Sequence, residues 1–254
     1  MMQKSAQGRP IERRGTRRAR GFTLVEMMIA VAIAIFLIGG ILTLVQSTRA
    51  AFGTQNALAQ FQDNQRLTMT FMAEVIESAG YFPSPQTYTV GQVLPAVGVF
   101  GTVGQSVYAV PGDTLSVRFG AALNDNVFGC NGAQNLTVAP YDVFTSTFYV
   151  NAATQQLMCT ATNLAGAQPP VPLVNGVISL TTLYGVKRNP ADTGSCTDTY
   201  ETTAQMTASG DWPKVCSVTI TVTFVNPLGT PAAPAAPVSI SRVIAVMNTA
   251  GVNS

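Results

Sequence analysis

This 254-residue chain has four cysteines, no histidine and only 12 acidic residues, and this composition limits the chemistry available to it. Without histidine, neither a Ser-His-Asp nor a Cys-His catalytic arrangement can form, and imidazole metal ligation is excluded. The acids form no recognisable catalytic pair, and no phosphate loop or nucleophile motif is present. We therefore predict no enzymatic activity and no cofactor. We expect the candidate carboxylates to be solvated loop residues: Asp113, Asp125, Asp142, Asp192, Asp198, Glu201 and Asp211.

The cysteines are Cys130, Cys159, Cys196 and Cys216. Three disulfide connectivities are possible. Pairing of sequence neighbours, Cys130 with Cys159 and Cys196 with Cys216, closes loops of moderate size, each worth about 3–4 kcal/mol in the chain-entropy model. A zinc site is disfavoured because CxxC spacing and histidine are both absent. A calcium site at residues 124–126 is unsupported, because the sequence there lacks the ligand spacing of an EF-hand.

Charge is concentrated at the N-terminus. Residues 1–21 carry seven basic residues and one acid, a net charge of +6, whereas the other 233 residues carry seven basic residues and eleven acids, a net charge of −4. Only 10% of all residues are charged and 47% are hydrophobic. This composition excludes disorder over most of the chain. It also disfavours nucleic-acid binding, because the basic residues occupy one short segment rather than a domain face.

An apolar run extends from Phe22 to Val45, and Glu26 is its one charged residue. A helix of this length measures roughly 36 Å, enough to cross a membrane. The preceding positive charges predict that residues 1–21 stay in the cytoplasm and that the rest is exported, where cysteines oxidise. A cleaved secretory or twin-arginine signal is the alternative, but the run is too long and contains Glu26.

Glu26 has two interpretations. A carboxylate inside a membrane span normally has a partner or a function. It either lies close enough to the headgroups to reach them, gaining from the helix dipole, or pairs with a cation inside an assembly. The sequence from Gly21 to Glu26, GFTLVE, resembles the type IV prepilin signature. That resemblance implies cleavage between Gly21 and Phe22 by a prepilin peptidase and N-methylation of Phe22. It also implies pairing of Glu26 with the Phe22 amine of a neighbouring subunit. The same pair is possible within one helix, and the sequence does not separate the two arrangements.

A single long helix is predicted from 22 to 79. No proline occurs from Phe22 to Phe82, and Gly80 supplies a stop signal. Its second half has an apolar face with helical spacing. The predicted segments are a cleaved leader (1–21), an apolar membrane and assembly half (22–45), an amphipathic half (46–80) and a β-rich head (81–254). The residues of the apolar face are Leu58, Phe61, Leu67, Phe71, Met72, Val75, Ile76 and Ala79.

Strand patterning follows from Tyr88 onward. The alternation of Val218, Ile220, Val222 and Phe224 with polar residues predicts one buried and one polar face. We expect a mainly antiparallel sheet packed on the helix, an α+β fold of the pilin type. The candidate strands are 96–101, 106–110, 114–119, 143–150, 156–161, 177–184, 216–225 and 238–246.

Further motifs resemble the PilW family of minor pilins: Ala79-Gly80-Tyr81, Leu157-Met158-Cys159, and the stretch 172–177 leading to Tyr184-Gly185-Val186. The chain departs from that family at Glu77, where a basic residue is expected. The resemblance implies a bacterial inner-membrane protein with a periplasmic head that enters a type IV pilus near its tip and promotes initiation of assembly. The implied partners are other minor pilins, the major pilin, prepilin peptidase, the inner-membrane assembly platform and membrane lipid.

Two alternatives stay open at the level of sequence. The first is a pseudopilin of a type II secretion system, which is built on the same N-terminal anchor. The second is an adhesive or ligand-binding head that uses an exposed Trp212 and the loop 189–215, although a lone tryptophan more often packs in a core.

Overall fold

A computed structural model describes residues 21–112, 114–189, 196–230 and 232–247. Residues 1–20 of the predicted leader and the candidate acids Asp113 and Asp192 lie outside the described residues. The chain divides into two units, one ending at Gly53 and the other beginning at Thr54.

Helix α1 (Leu24–Glu77) supplies the N-terminal unit and the first element of the second unit. It begins two residues later and ends two residues earlier than predicted. Gly80 adopts a positive φ of 76°, but its N–H donates to the carbonyl of Arg118 rather than to the helix. The chain therefore leaves the helix through a turn over residues 78–80 that is tied to the head.

One face of α1 is buried within the second unit. Ala79, just beyond the helix, is also buried, and Phe61 meets Phe224 edge to face at 5.8 Å. The prediction was wrong for Leu67, which is exposed because it lies one position away from the buried face that begins at Thr68. The buried helix residues are Thr68, Met69, Met72, Ala73, Val75 and Ile76.

The first sheet is antiparallel, and its strand order is β1-β2-β3-β4-β5, with β6 also paired to β4. Strand β3 shows why these segments form strands: Asp142, Phe144, Ser146 and Phe148 are buried on one face, and the residues between them are only half-buried. The strands are β1 (Val107–Tyr108), β2 (Thr114–Ala122), β3 (Tyr141–Asn151), β4 (Gln156–Asn163), β5 (Gly166–Ala167) and β6 (Val171–Asn175).

The second sheet is also antiparallel and has the order β10-β9-β7-β8. The predicted alternation in β9 is confirmed, since Val218, Ile220, Val222 and Phe224 are buried. The strands are β7 (Val177–Val186), β8 (Thr199–Thr202), β9 (Ser217–Phe224) and β10 (Val238–Ala245). Two short helices, α2 (Val90–Val93) and α3 (Thr203–Ser209), and a 3-10 turn at Trp212–Lys214 complete the described elements.

The buried face of α1 and residues from both sheets form one hydrophobic core. Trp212 belongs to it: the side chain is 7% exposed and its ring lies 5.1 Å from Tyr108 and 4.9 Å from Tyr184. The expectation of an exposed, adhesive Trp212 is therefore wrong, and the packing interpretation holds. Burial raises the pKa of Tyr184 to about 12, and its hydroxyl lies 2.6 Å from that of Thr182.

The α+β prediction is confirmed, but the strand prediction needs two corrections. Residues 96–101 form no strand. Gly98 has a φ of 57°, and Val97 and Phe100 exchange two backbone hydrogen bonds across a tight turn. The predicted strand 106–110 shortens to β1, because Pro111 and Gly112 follow in a turn.

Candidate processing and assembly site

The predicted cleavage position lies in non-helical chain directly before α1. Gly21, Phe22 and Thr23 precede the first helical residue, and all three are exposed, Phe22 by 84%. The described geometry of this segment is compatible with cleavage between Gly21 and Phe22, which stays a prediction.

Thr23 and Glu26 close the first turn of α1 by a reciprocal pair of hydrogen bonds. The Thr23 N–H donates to Glu26 Oε2 at 3.0 Å, and the Glu26 N–H donates to Thr23 Oγ1 at 3.3 Å. The Thr23 hydroxyl also donates to Oε2 at 3.0 Å. This is a capping box, which satisfies N–H groups that a helix start leaves without partners.

The sequence prediction did not include a capping role for Thr23. The signal was present in the spacing Thr-Leu-Val-Glu, which is the S/T-x-x-E pattern of a capping box. Glu26 therefore sits in the first helical turn, as one of its two interpretations required. Its second oxygen, Oε1, accepts no hydrogen bond within the described chain, so it is available to a cation.

The helix segment after Glu26 is apolar and exposed. All side chains from Leu24 to Gly53 are exposed in this chain. By length and composition α1 contains a stretch that could cross a membrane, although a signal sequence would meet the same test. Solvated apolar surface of this extent is unfavourable, which indicates that lipid or other helices cover it.

The head contains two disulfides, Cys130–Cys159 and Cys196–Cys216. These are the pairs that sequence neighbours would make. The first joins the loop before β3 to β4, and the second joins the segment before β8 to the residue preceding β9. Each therefore fixes a connection to a central strand of its sheet. No group of three or more potential metal ligands occurs among the described residues.

The expectation of solvated acids is wrong for Asp142 and Glu201, which are both buried. Asp142 Oδ1 accepts from the N–H groups of Val143 and Leu164 at 2.7 and 3.0 Å. Asp125 accepts from two backbone N–H groups of its own turn, so its oxygens are used for local structure. Asp142 and Asp125 therefore position the backbone of loops.

A group of charged residues joins β7 to the region around α3. The guanidinium of Arg188 pairs with Glu201 and also with Asp211 at 3.2 Å, and Lys214 pairs with Asp211 at 2.8 Å. The Lys214 hydrogen bond and charge lower the pKa of Asp211. Backbone N–H donors from Arg188 and the next residue lower the pKa of Asp198. The arrangement connects the segment after β7 to β8 and to the 3-10 turn.

Comparison with known proteins gives two family matches. Residues 147–236 match the model described as Type IV Pilus-assembly protein W, named PilW. Residues 16–42 match the prokaryotic N-terminal methylation motif. A solved type IV-like pilin from Thermus thermophilus is similar over 75% of this chain and 97% of its own, at 16% identity and a TM-score of 0.42. The comparison with curated proteins gives no match.

The α+β fold with its long N-terminal helix, together with the methylation motif, defines a type IV pilin-like protein. Within that class the chain carries a PilW segment, which lies in the head and runs from β3 into the connection before β10. The predicted resemblance to the PilW family and to the prepilin signature is thereby confirmed.

Proposed function

We propose that this chain is a minor pilin of a type IV pilus that enters the filament near its tip and promotes the initiation of assembly. The observation that carries the proposal is the combination of an N-terminal methylation motif over residues 16–42 with a PilW segment over residues 147–236. The first supports processing and assembly, and the second supports the assembly role of the head.

Processing removes the basic leader between Gly21 and Phe22 and methylates the new Phe22 amine. The amine stays cationic after methylation, because methylation of an amine keeps its charge. Phe22 lies next to the capping residue Thr23, so the new positive charge forms at the start of α1. Nothing described in the chain buries either residue, which leaves both accessible to the enzyme.

Assembly then brings Glu26 of an incoming subunit to the Phe22 amine of a subunit already in the filament. The capping box uses Oε2, and Oε1 accepts the hydrogen bond from the neighbouring amine. Away from water an opposite-charge contact is much stronger than at a wet surface. The pair therefore selects the axial register in which the two helix starts meet.

The proposed location follows from the same features. The apolar part of α1 anchors the subunit in the bacterial inner membrane, with the leader in the cytoplasm and the head in the periplasm. Two disulfides suit an oxidising compartment. The partners are prepilin peptidase, the assembly platform, other minor pilins and the major pilin.

Deletion of the coding region in the native host, with filament retraction blocked, tests the function. We expect surface filaments to fall to a small fraction of the wild-type number in electron micrographs and to return with a plasmid-borne copy. Unchanged filament numbers would contradict the assembly role. Loss of protein secretion to the medium with normal filaments would instead identify a pseudopilin of a type II secretion system.

A further inference from the structure

A cavity of about 680 Å³ lies on the outer face of the first sheet. Val143 and Thr145 of β3 form part of its floor, and Thr162 of β4 is the register partner of Thr145. Residues 92–100 form the opposite wall. Gly120 allows this wall to approach, since a Cβ there would lie 2.5 Å from Val93 Cγ1.

Most of the cavity lining is apolar. Val97 and Val99 lie at its rim and are more than half exposed, while Leu164 closes the side next to β4. A concave apolar surface of this size is the usual form of a site for a small organic molecule. The turn that replaces the predicted strand 96–101 is what places the two valines there, so this site has no counterpart in the sequence prediction.

The cavity also contains a buried cation, Arg118, which is 2% exposed. Its Nη1 donates to the carbonyl of Pro95 at 2.7 Å, and its Nη2 donates to the carbonyls of Gln105 at 2.7 Å and Leu94 at 3.4 Å. The Phe100 ring covers one side, with its centroid 4.5 Å from the guanidinium carbon. Arg118 thus holds the cavity wall against β2.

The donors of Arg118 are not all used. A guanidinium has five N–H groups. Three carbonyls account for three of them, and Nε is buried with no hydrogen-bond partner. No described carboxylate lies within salt-bridge distance of Arg118, so its charge has only dipoles and a ring as partners. Burial lowers its pKa to about 10, which still leaves it cationic at neutral pH.

We propose that this cavity binds a small organic anion, an apolar ring or chain that carries a single carboxylate. The carboxylate faces Arg118 and the hydroxyls of Thr145 and Thr162. Neither hydroxyl donates a hydrogen bond within the described chain. The apolar part lies against Val97 and Val99. One unpaired cation with few remaining donors suits a monoanion better than a phosphate, which needs many donors. The site is independent of assembly through α1.

The test uses the mature full-length chain in lipid nanodiscs and three probes of one shape: 2-naphthoate, 2-naphthamide and 2-naphthylmethylammonium. Binding is measured by saturation-transfer NMR, with empty nanodiscs as background. We expect naphthoate to bind about tenfold more tightly than the neutral amide, and the cation not to bind. Partition into lipid favours the neutral probe, so it cannot produce this order. Equal affinity of naphthoate and naphthamide would overturn the proposal, as would the absence of naphthoate binding.

Two matched variants locate the site. Val99→Asp places a negative charge at the rim and should weaken naphthoate binding at least tenfold, whereas Val243→Asp, at a similarly exposed position on β10, should leave it unchanged. Equal effects of the two variants would contradict the assignment. Arg118→Met should abolish the preference for naphthoate over naphthamide, and retention of that preference in a folded variant would also contradict it. If this variant does not fold, the probe series and the Val99 pair still decide.

Discussion

At the scale of single residues, the carboxylate of Glu26 has two separable tasks. One is local, since Oε2 accepts from the N–H and the hydroxyl of Thr23 at the start of α1. The other is the proposed pairing of its charge with a Phe22 amine in the filament. The local task needs only an acceptor, and glutamine also completes a capping box. The pairing task needs the negative charge.

Glu26→Gln therefore separates the two tasks. We expect this variant to insert into the membrane as the wild type does and to keep its helix start, but to enter filaments at least tenfold less, because the charge is lost. The measurement is immunoblotting of sheared filaments against membrane fractions. Glu26→Ala, which removes both tasks, should assemble no better.

Thr23→Val is the matched control, because it removes the side-chain cap and keeps the charge. Loss of a threonine cap weakens a helix start by about 1 kcal/mol. We expect this variant to assemble substantially better than Glu26→Gln. A Glu26→Gln protein that assembles normally would remove the charge-pairing argument, whereas a Thr23→Val protein that fails as completely would assign the effect to capping.

Trp212 joins the 3-10 turn to the core through Tyr108 and Tyr184. Replacing a buried tryptophan with alanine costs about 3–5 kcal/mol. We expect Trp212→Ala to lower the thermal midpoint of the head by many degrees in circular dichroism. Tyr200→Ala, at a half-exposed position on β8, should shift it only slightly. Equal shifts would show that Trp212 has no special place in the core.

At the scale of elements, each disulfide ties a segment outside the strands to a strand or to the residue just before one. Cys130 and Cys159 are 29 residues apart and both are fully buried. The chain-entropy model assigns such a loop about 3–4 kcal/mol. The double variant Cys130→Ser/Cys159→Ser should lose at least that much stability, because it also buries two hydroxyls. The midpoint of urea unfolding measures the loss, and an unchanged midpoint would contradict it.

The charged residues around β8 and α3 make the head sensitive to acid. Asp198 and Asp211 have pKa values below the ordinary value of 3.8 in the folded head. Between 3.8 and the lower pKa of each carboxyl in the folded head, the unfolded chain therefore binds more protons than the folded head. The stability that these two carboxylates supply is complete above 3.8 and is lost as the pH falls through their folded-state pKa values. We expect Asp198→Asn to destabilise the head at neutral pH.

The difference between Asp198→Asn and wild type should shrink as the pH falls below 3.8 and through the lowered pKa of Asp198, because protonation there removes the same charge from the wild type. Thermal midpoints of both proteins across this pH range measure it. Asp63→Asn is the control, because that exposed carboxylate makes no hydrogen bond in the described chain. A constant difference between the Asp198→Asn and wild-type midpoints would show that the Asp198 contacts do not depend on its charge.

The clearest predictions from local sequence were for elements with a long, single period. The helix from residue 24 and the alternation in β9 follow from spacing alone. Strand β6 was missed because it contains Pro172, which an edge strand tolerates. Helix α3 was missed although Thr202 and Gln205 form a capping box and Gly210 ends it at a φ of 72°. Division of the strands into two sheets depends on long-range pairing, which no local pattern encodes.

The prediction of the processing and assembly residues rests on local sequence alone and stays a prediction. Gly21, Phe22 and Glu26 lie within six consecutive residues, so their relation is set by local sequence. The Arg118 cavity draws on β2, β3, β4 and the wall at residues 92–100, which meet only in the folded chain. A lone arginine in a strand gave no sign that it would be buried without a carboxylate.

At the scale of the whole molecule, the proposed cleavage reverses the sign of the net charge. The full chain has a net charge of +2, and the leader accounts for +6 of it, so residues 22–254 carry −4 before the new amine is counted. The precursor should therefore focus near its sequence pI of about 8.4, and the mature chain at an acidic pH. Cleavage also separates the acidic mature subunit from the basic leader that set the orientation of the helix in the membrane.

Expression with and without a prepilin peptidase tests this directly. With the enzyme, we expect an acidic product whose terminal peptide begins at a methylated Phe22. Without it, or in a Gly21→Val variant, the basic precursor should accumulate in the membrane. Ala19→Val, two residues upstream, serves as the control and should still be cleaved. A mature product that starts at any residue other than Phe22 would contradict the proposed processing, and with it the pairing of Glu26 to a neighbouring amine.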